Sequence, residues 1–363
     1  MLAVVLHGKG DIRVERRPRP VVGHGELLLR ITTAGVCGTD VAEVTNGPSL
    51  TPVHHRHPFT GHEGPVTLGH EFAGVVVEAG PGTETQIGAH VASGSGVACG
   101  HCRACTAGKT NLCSTYWTVG FHVDGGLAEY CVVPESVCVA FDTASLTDDG
   151  AALAQPMSIA VHAVRVGNLL SGARTLVIGA GGIGMFLIAA IKHVQPDAHV
   201  VVIEPDAYRR KVAVEMGCDM ALAPTENPPG PFDTVFEVSG TVSGLTTSIA
   251  SVARGGTIVL VGIQRSRGAD LEVLRKATLD EIALVGTSAH VVSTDFPVAL
   301  EILSARSDWS AIAPTVGTLW DCAAQLEHPA GDRPIKSLFS PQADTARAAG
   351  YRGSTLPATR SPS

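Results

Sequence analysis

Apolar positions along the chain follow two rhythms. The first half offers short runs broken by glycine, proline and polar residues, such as MLAVVLHG at the start and GELLLRITTAGV from residue 25. Short runs bounded by turn residues predict strands, so this half reads as β-rich with a partly open barrel core. Near residue 155 the rhythm changes. TLVI, HVVVIEP, FDTVFEVSG, GGTIVLVGI and EIALVGTS are unbroken apolar runs separated by segments long enough for helices. Strands buried on both faces look like this, and their alternation with helices predicts a parallel, doubly wound sheet in an α/β protein.

Composition narrows the class. The chain has 363 residues, 45% hydrophobic and 17% charged, which supports more than one core. Its formal net charge is -8 with no basic run, which argues against nucleic acid and for small molecules or copies of itself as partners. In MLAVVLHGKGDIRVERRPRP the charges follow the apolar run instead of preceding it, unlike a secretory leader. TLVIGAGGIGMFLIAAIK comes closest to a membrane span, but its glycine spacing has a better explanation below. The expectation is a cytoplasmic protein with free thiols and no membrane partner.

Four of the nine cysteines crowd into one loop as C-x2-C-x2-C-x7-C: Cys99, Cys102, Cys105 and Cys113. In a reducing compartment such spacing points to metal. Four thiolates suit a closed tetrahedral zinc site that staples a loop, with Gly100 and Gly108 easing the turns. An iron–sulfur cluster uses the same ligands and remains the alternative.

GARTLVIGAGGIGMFLIAAIKHV reads as strand, turn and helix, with Gly179, Gly181 and Gly184 in G-x-G-x-x-G spacing. The first glycine makes the turn, the second admits a pyrophosphate and the third lets helix and strand pack closely. Gly182 and Ile183 complete the candidate cofactor contacts, where phosphates would meet helix N–H groups. Glu204 ends the next strand twenty residues after Gly184. It stands where an acid grips the ribose hydroxyls and repels a 2′-phosphate, which predicts NAD. Arg209 and Arg210 are the opposing hint, able to welcome that phosphate.

Upstream, TTAGVCGTDVAEV and VTLGHEFAGVVVEAG supply Cys37, His70 and Glu71. With the cysteine lobe that follows, this order resembles the zinc-containing medium-chain alcohol dehydrogenases. The resemblance runs from residue 1 to about 295, and EVTNGP, HPFTG and QPMSIAVHAV bring it closest to the butanediol and sorbitol dehydrogenase branch. It implies a GroES-like catalytic domain over 1–154 and 295–340 and a Rossmann domain over 155–294. DFPVALEILSAR would return the chain to the catalytic unit and KSLFSP would be its last strand. Residues 341–363, without apolar period, read as a disordered tail. Homodimers or homotetramers are implied as well.

The same resemblance implies two zincs per chain. Cys37 and His70 would bind the catalytic one, with Glu71 or Gln155 as a further donor. Thr39 would pass on the substrate proton and Asp40 would orient a zinc-bound group. Val238, Val261 and Thr287, at strand ends, would lie near the nicotinamide. The expected reaction is zinc-assisted hydride transfer between NAD and a secondary alcohol of a diol, polyol or cyclitol. Two departures stand out. Gln155 precedes Pro156 where the branch has Glu, leaving a weaker, neutral donor. Ala42 replaces a proton-relaying His, so the relay would use ribose, water or another group; His54, His55, His57 and His62 read mostly as solvated loop residues. Two alternatives stay open: a biosynthetic sugar or aminocyclitol dehydrogenase, and a cofactor-binding protein that has lost catalysis.

Overall fold

In the computed structural model, which describes residues 1–264, 271–306, 309–328 and 334–343, the two rhythms become two kinds of sheet. The second half forms six parallel strands. Their spatial order is Met220–Leu222, His199–Ile203, Arg174–Ile178, Phe232–Glu237, Val252–Leu260, Ala283–Gly286. The first strand in sequence is therefore central, and winding reverses between it and Phe232–Glu237. Open sheets of this kind bind ligands at the carboxyl ends beside that reversal. The edge strand Met220–Leu222 was not anticipated, because three residues in CDMALAP make no extended apolar run.

Strand periodicity divides the core. Leu176 and Ile178 join Val201, Ile203, Val235 and Ile258 under one face. Val177 joins Val200, Val202, Phe236 and Val259 under the other. Successive side chains point to opposite faces, and both are covered, so the runs are apolar throughout. The helices Ala154–Gly167, Gly182–Val194 and Val292–Ser304 bury their apolar residues in the second of these cores. Val242–Ser251 and Leu271–Leu279 contribute to the first. The stretch resembling a membrane span is thus the strand Arg174–Ile178, a glycine turn and the helix Gly182–Val194. Among the described residues no helix is long and apolar enough to cross a membrane.

In the first half, strand Glu26–Gly35 is the hub. It pairs antiparallel with Glu71–Ala79, Tyr130–Pro134 and Leu338–Phe339. Alternate residues Leu27, Leu29 and Ile31 point into a core with Val76, Val91 and Val133. A smaller sheet orders Asp11–Arg16, Leu2–Gly8 and Val66–Thr67. DFPVALEILSAR forms most of the helix Val292–Ser304, packed on Ala154–Gly167. The chain rejoins the first-half sheet through Thr315–Gly317 and Leu338–Phe339, the latter within KSLFSP. Of the proposed tail, everything beyond residue 343 lies outside the described residues.

Candidate active site

The glycine turn sits at the sheet's winding reversal. Gly179 has φ +98°, and a Cβ there would lie 3.2 Å from Ser239 N on the neighbouring strand's exit. At Gly184 a Cβ would meet Gly179 O at 2.0 Å, so only glycine allows this helix to approach its strand. Gly181, the helix N-cap, has nothing within 4 Å on its Cβ side. This is the open face toward which helix N–H groups and the dipole draw an anion.

Glu204 is buried at the end of strand His199–Ile203, as the spacing predicted. Its Oε2 accepts from Ala180 N at 2.7 Å and its Oε1 from Asp206 N at 3.0 Å, so the acid is pinned against the glycine turn. Arg210 donates to the carbonyls of Glu204 and Pro205 at 2.8 and 2.7 Å. Arg209, half-buried on the next helix, uses its backbone N–H to reach Asp206 Oδ1 at 2.8 Å. Val238, Val261 and Thr287 leave their strands with amides bonded to Ile178, Glu237 and Leu260 carbonyls at 3.0, 2.9 and 3.2 Å.

The second constellation depends on strand register. Cys37 is the N-cap of helix Gly38–Thr45, and its N–H donates to Asp40 Oδ2 at 2.8 Å. The GTD turn therefore seats the thiol, with Thr39 Oγ1 3.7 Å from Cys37 Sγ. Antiparallel pairing sets Glu71 opposite Gly35, two residues from that cap. Cys37 Sγ, a His70 ring nitrogen and a Glu71 carboxylate oxygen consequently lie within 4.8 Å of one another. Asp40, fully buried, places Oδ1 3.5 Å from His70 Nδ1. Burial pulls the His70 pKa down, but Asp40 and Cys37 more than reverse it and hold it well above the ordinary value. Phe121 tilts against the His70 ring at 4.5 Å, and Ser95 Oγ donates to the His70 carbonyl.

Sequence reading missed the counter-charge. Lys336, 8% exposed, ion-pairs with Glu71 and donates to Val36 O at 3.2 Å. Burial works against its charge, but Glu71, Cys37 and Asp40 raise its pKa. The available signal was a lone lysine among the apolar residues of PIKSLF. A thiol, an imidazole and two buried carboxylates against one lysine make a soft-to-borderline donor set with surplus negative charge, which fits a zinc ion. Gln155 is the second residue of helix Ala154–Gly167 and half-buried, its backbone carbonyl accepting from Ser158 Oγ at 2.6 Å.

The four lobe cysteines also converge, their sulfurs within 4.8 Å of one another. Cys102 and Cys105 sulfurs are 3.5 Å apart, far beyond a disulfide bond, and all nine cysteines are free. Gly100 and Gly108 take φ +78° and +73°, as the turns required. Backbone N–H groups of Cys99 and Thr115 donate to Cys113 Sγ at 3.3 and 3.4 Å, and that of Cys102 to Cys99 Sγ at 3.3 Å. Such bonds favour thiolates; backbone donors from Cys105 and Ser114 lower the Cys102 thiol to about 5. This donor set too fits a metal.

Comparison with known proteins agrees with this geometry. Residues 23–143 match the alcohol dehydrogenase GroES-like domain, and 182–305 match the zinc-binding dehydrogenase domain. An L-threonine 3-dehydrogenase from Shewanella frigidimarina is 35% identical over 265 residues, 68% of this chain and 72% of the relative. The chain belongs to the zinc medium-chain alcohol dehydrogenase family. Sorbitol dehydrogenase from Bacillus subtilis is 29% identical over 317 residues, 84% of this chain and 86% of the relative. The crystal structure of 2R,3R-butanediol dehydrogenase from Bacillus subtilis superposes with TM-score 0.84 at 28% identity, covering 94% of this chain and 99% of the other.

Within this medium-chain dehydrogenase, further polar residues emerge only from packing. Asp295 accepts from His162 Nδ1 at 2.8 Å, from Val291 N at 2.7 Å and from Arg165. Asn111, in the cysteine lobe, bonds to His162 Nε2 at 3.3 Å and Ser288 O at 2.8 Å, tying the lobe to the nucleotide half. His54 and His55 are exposed as expected, but His57 is not a solvated loop residue. It is 8% exposed and stacks on His122 at 4.4 Å, with Nδ1 facing Thr60 N at 3.1 Å. Ala42 lies exposed on the Gly38–Thr45 helix. A concavity lined by Gly167, Asn168, Asp233 and Arg254 lies at the amino edge of the parallel sheet and holds none of the site residues.

Proposed function

We propose that the protein is a zinc-dependent, NAD-linked dehydrogenase that oxidises a secondary alcohol of a diol, polyol or cyclitol to a ketone, or runs the reverse reduction. The observation that carries this reading is the convergence of half-buried Cys37 with buried His70 and Glu71 in a chain that also presents a complete glycine turn. The sorbitol and butanediol dehydrogenase relatives support the substrate class. Zinc held by Cys37 and His70, with Glu71 or Gln155 as third donor, would supply Lewis-acid stabilisation of the substrate oxygen. Nicotinamide bound at Gly179, Gly181, Gly182, Ile183 and Gly184, beside Val238, Val261 and Thr287, would exchange the hydride.

The chain's own residues account for the rest. Thr39, beside the Cys37 sulfur, takes the hydroxyl proton. Exposed Ala42 has nothing to titrate, so the proton continues through ribose or water. Asp40 sets the orientation of the His70 ring. Lys336 ion-pairs with Glu71 and holds its carboxylate in place. Glu204, pinned at the turn, favours ribose hydroxyls over a 2′-phosphate, while Arg209 is the group that would favour the phosphate. The four-cysteine lobe holds a second, structural zinc. Residues 1–154 and 295–340 act as the catalytic unit and 155–294 as the nucleotide unit, in a cytoplasmic homodimer or homotetramer.

Zinc counting combined with a panel of diols, polyols, cyclitols and L-threonine, followed by NADH absorbance, tests this reading. The expected result is two zincs per chain and turnover of at least one polyhydroxy compound. One zinc and no turnover would make it a cofactor-binding protein, and turnover of L-threonine alone would overturn the substrate class.

A further inference from the structure

Among the described residues, His290 is the histidine with both ring nitrogens buried and without a hydrogen-bond partner. It is 2% exposed and lies between strand Ala283–Gly286 and helix Val292–Ser304. Its ring tilts against Phe296 at 5.8 Å. Its Nε2 reaches across to the first-half sheet, 3.1 Å from where a Cβ on Gly94 would stand. Gly94 is followed by Ser95, whose hydroxyl donates to the carbonyl of His70. The imidazole thus extends from the carboxyl edge of the nucleotide sheet to the loop that backs the metal-cluster histidine. Three residues earlier, Thr287 Oγ1 is also buried without a partner. Two unsatisfied ring nitrogens at the sheet edge where ligands bind call for an occupant that both donates and accepts.

The ring's charge state selects that occupant. Burial pushes the His290 pKa down to about 4, with His162 and His70 adding to this against the pull of Asp295. Lys336 and Arg165 are already committed, the first to Glu71 and the second to Asp295. A neutral imidazole offers one donor and one acceptor, which a hydroxyl matches and a carboxylate or phosphate does not.

We propose that His290 is a specificity-determining residue that receives a second hydroxyl of the substrate. This rests on the dehydrogenase reading above and deepens it, because it explains why a diol or polyol would be preferred over a simple alcohol.

The test compares vicinal butanediol with secondary butanol, and the best polyol of the panel with its analogue lacking the neighbouring hydroxyl. Kinetics are measured on wild type, His290→Phe and His290→Gln, with zinc content, NAD affinity and Tm as controls. His290→Phe is expected to lower kcat/KM for the diol about tenfold to a hundredfold, mainly through KM, since its hydroxyl loses a buried partner. Oxidation of the monoalcohol should stay within about twofold. His290→Gln, which can still donate and accept, should recover part of the selectivity. If His290→Phe fails to fold, His290→Leu and His290→Gln read the same ratio. Equal loss for diol and monoalcohol, or no loss, overturns the role of His290 and leaves the dehydrogenase reading standing. A wild-type protein that oxidises no alcohol overturns both.

Discussion

The four-cysteine lobe and the Cys37–His70–Glu71 cluster are both candidate zinc sites, yet they are built in opposite ways. The lobe's ligands come from one loop of fifteen residues, supported by their own backbone N–H groups and left-handed glycines. The buried cluster draws its members from a helix cap, a strand start and, through Lys336, the end of the described chain. A closed set of four thiolates leaves no ligand position for substrate, whereas a mixed set of three protein donors can keep one open. Local construction suits a staple, and long-range construction suits a site that must face a second sheet.

The largest expected contrast comes from Cys37→Ser. It should lower kcat/KM on the order of a thousandfold, equivalent to about 4 kcal/mol, while NAD binding and the lobe's metal persist. Steady-state kinetics with metal analysis checks this, and near-normal turnover would erase the distinction between the sites. Cys102→Ser should do the reverse: one metal is lost and stability falls by several kcal/mol, on the order of a structural zinc's contribution, while turnover survives in the chains still folded at low temperature. Thermal melts beside activity at low temperature decide it.

Lys336→Met sharpens the account of the buried cluster. In the metal-free chain it leaves the buried Glu71 without its ion-pair partner and should be destabilising by about 3 kcal/mol. Adding Glu71→Gln should restore much of that, and urea titrations of the single and double variants measure the coupling.

The smallest effect is on pH. His122 and His290, flanking the cluster through Phe121 and Gly94, have pKa values pushed down to about 4, chiefly by burial. Their unfolded forms take up protons near 6.5, so stability is complete above that pH and declines as pH falls toward 4. The slope should approach about 1 kcal/mol per pH unit for each histidine. Urea melts at successive pH values test this, and His122→Asn should flatten the slope, which a histidine-independent acid loss would not do.

Much of this molecule was legible without its fold. The C-x2-C-x2-C-x7-C loop closes on itself, so spacing alone brought four sulfurs together. The glycine turn is equally local: Gly179, Gly181 and Gly184 act within one strand–helix junction, and unbroken apolar runs announce strands covered on both faces. Short edge strands such as Met220–Leu222 were silent because three residues carry too little pattern. The tertiary structure alone decided that Glu71 stands opposite Gly35, that Lys336 closes the charge balance, that His57 stacks on His122 and that His290 reaches the Gly94 loop. These placements are set by strand register and by packing between segments far apart in the chain. A one-residue slip in the pairing of Glu26–Gly35 with Glu71–Ala79 would turn Glu71 to the other face without changing a letter of the sequence.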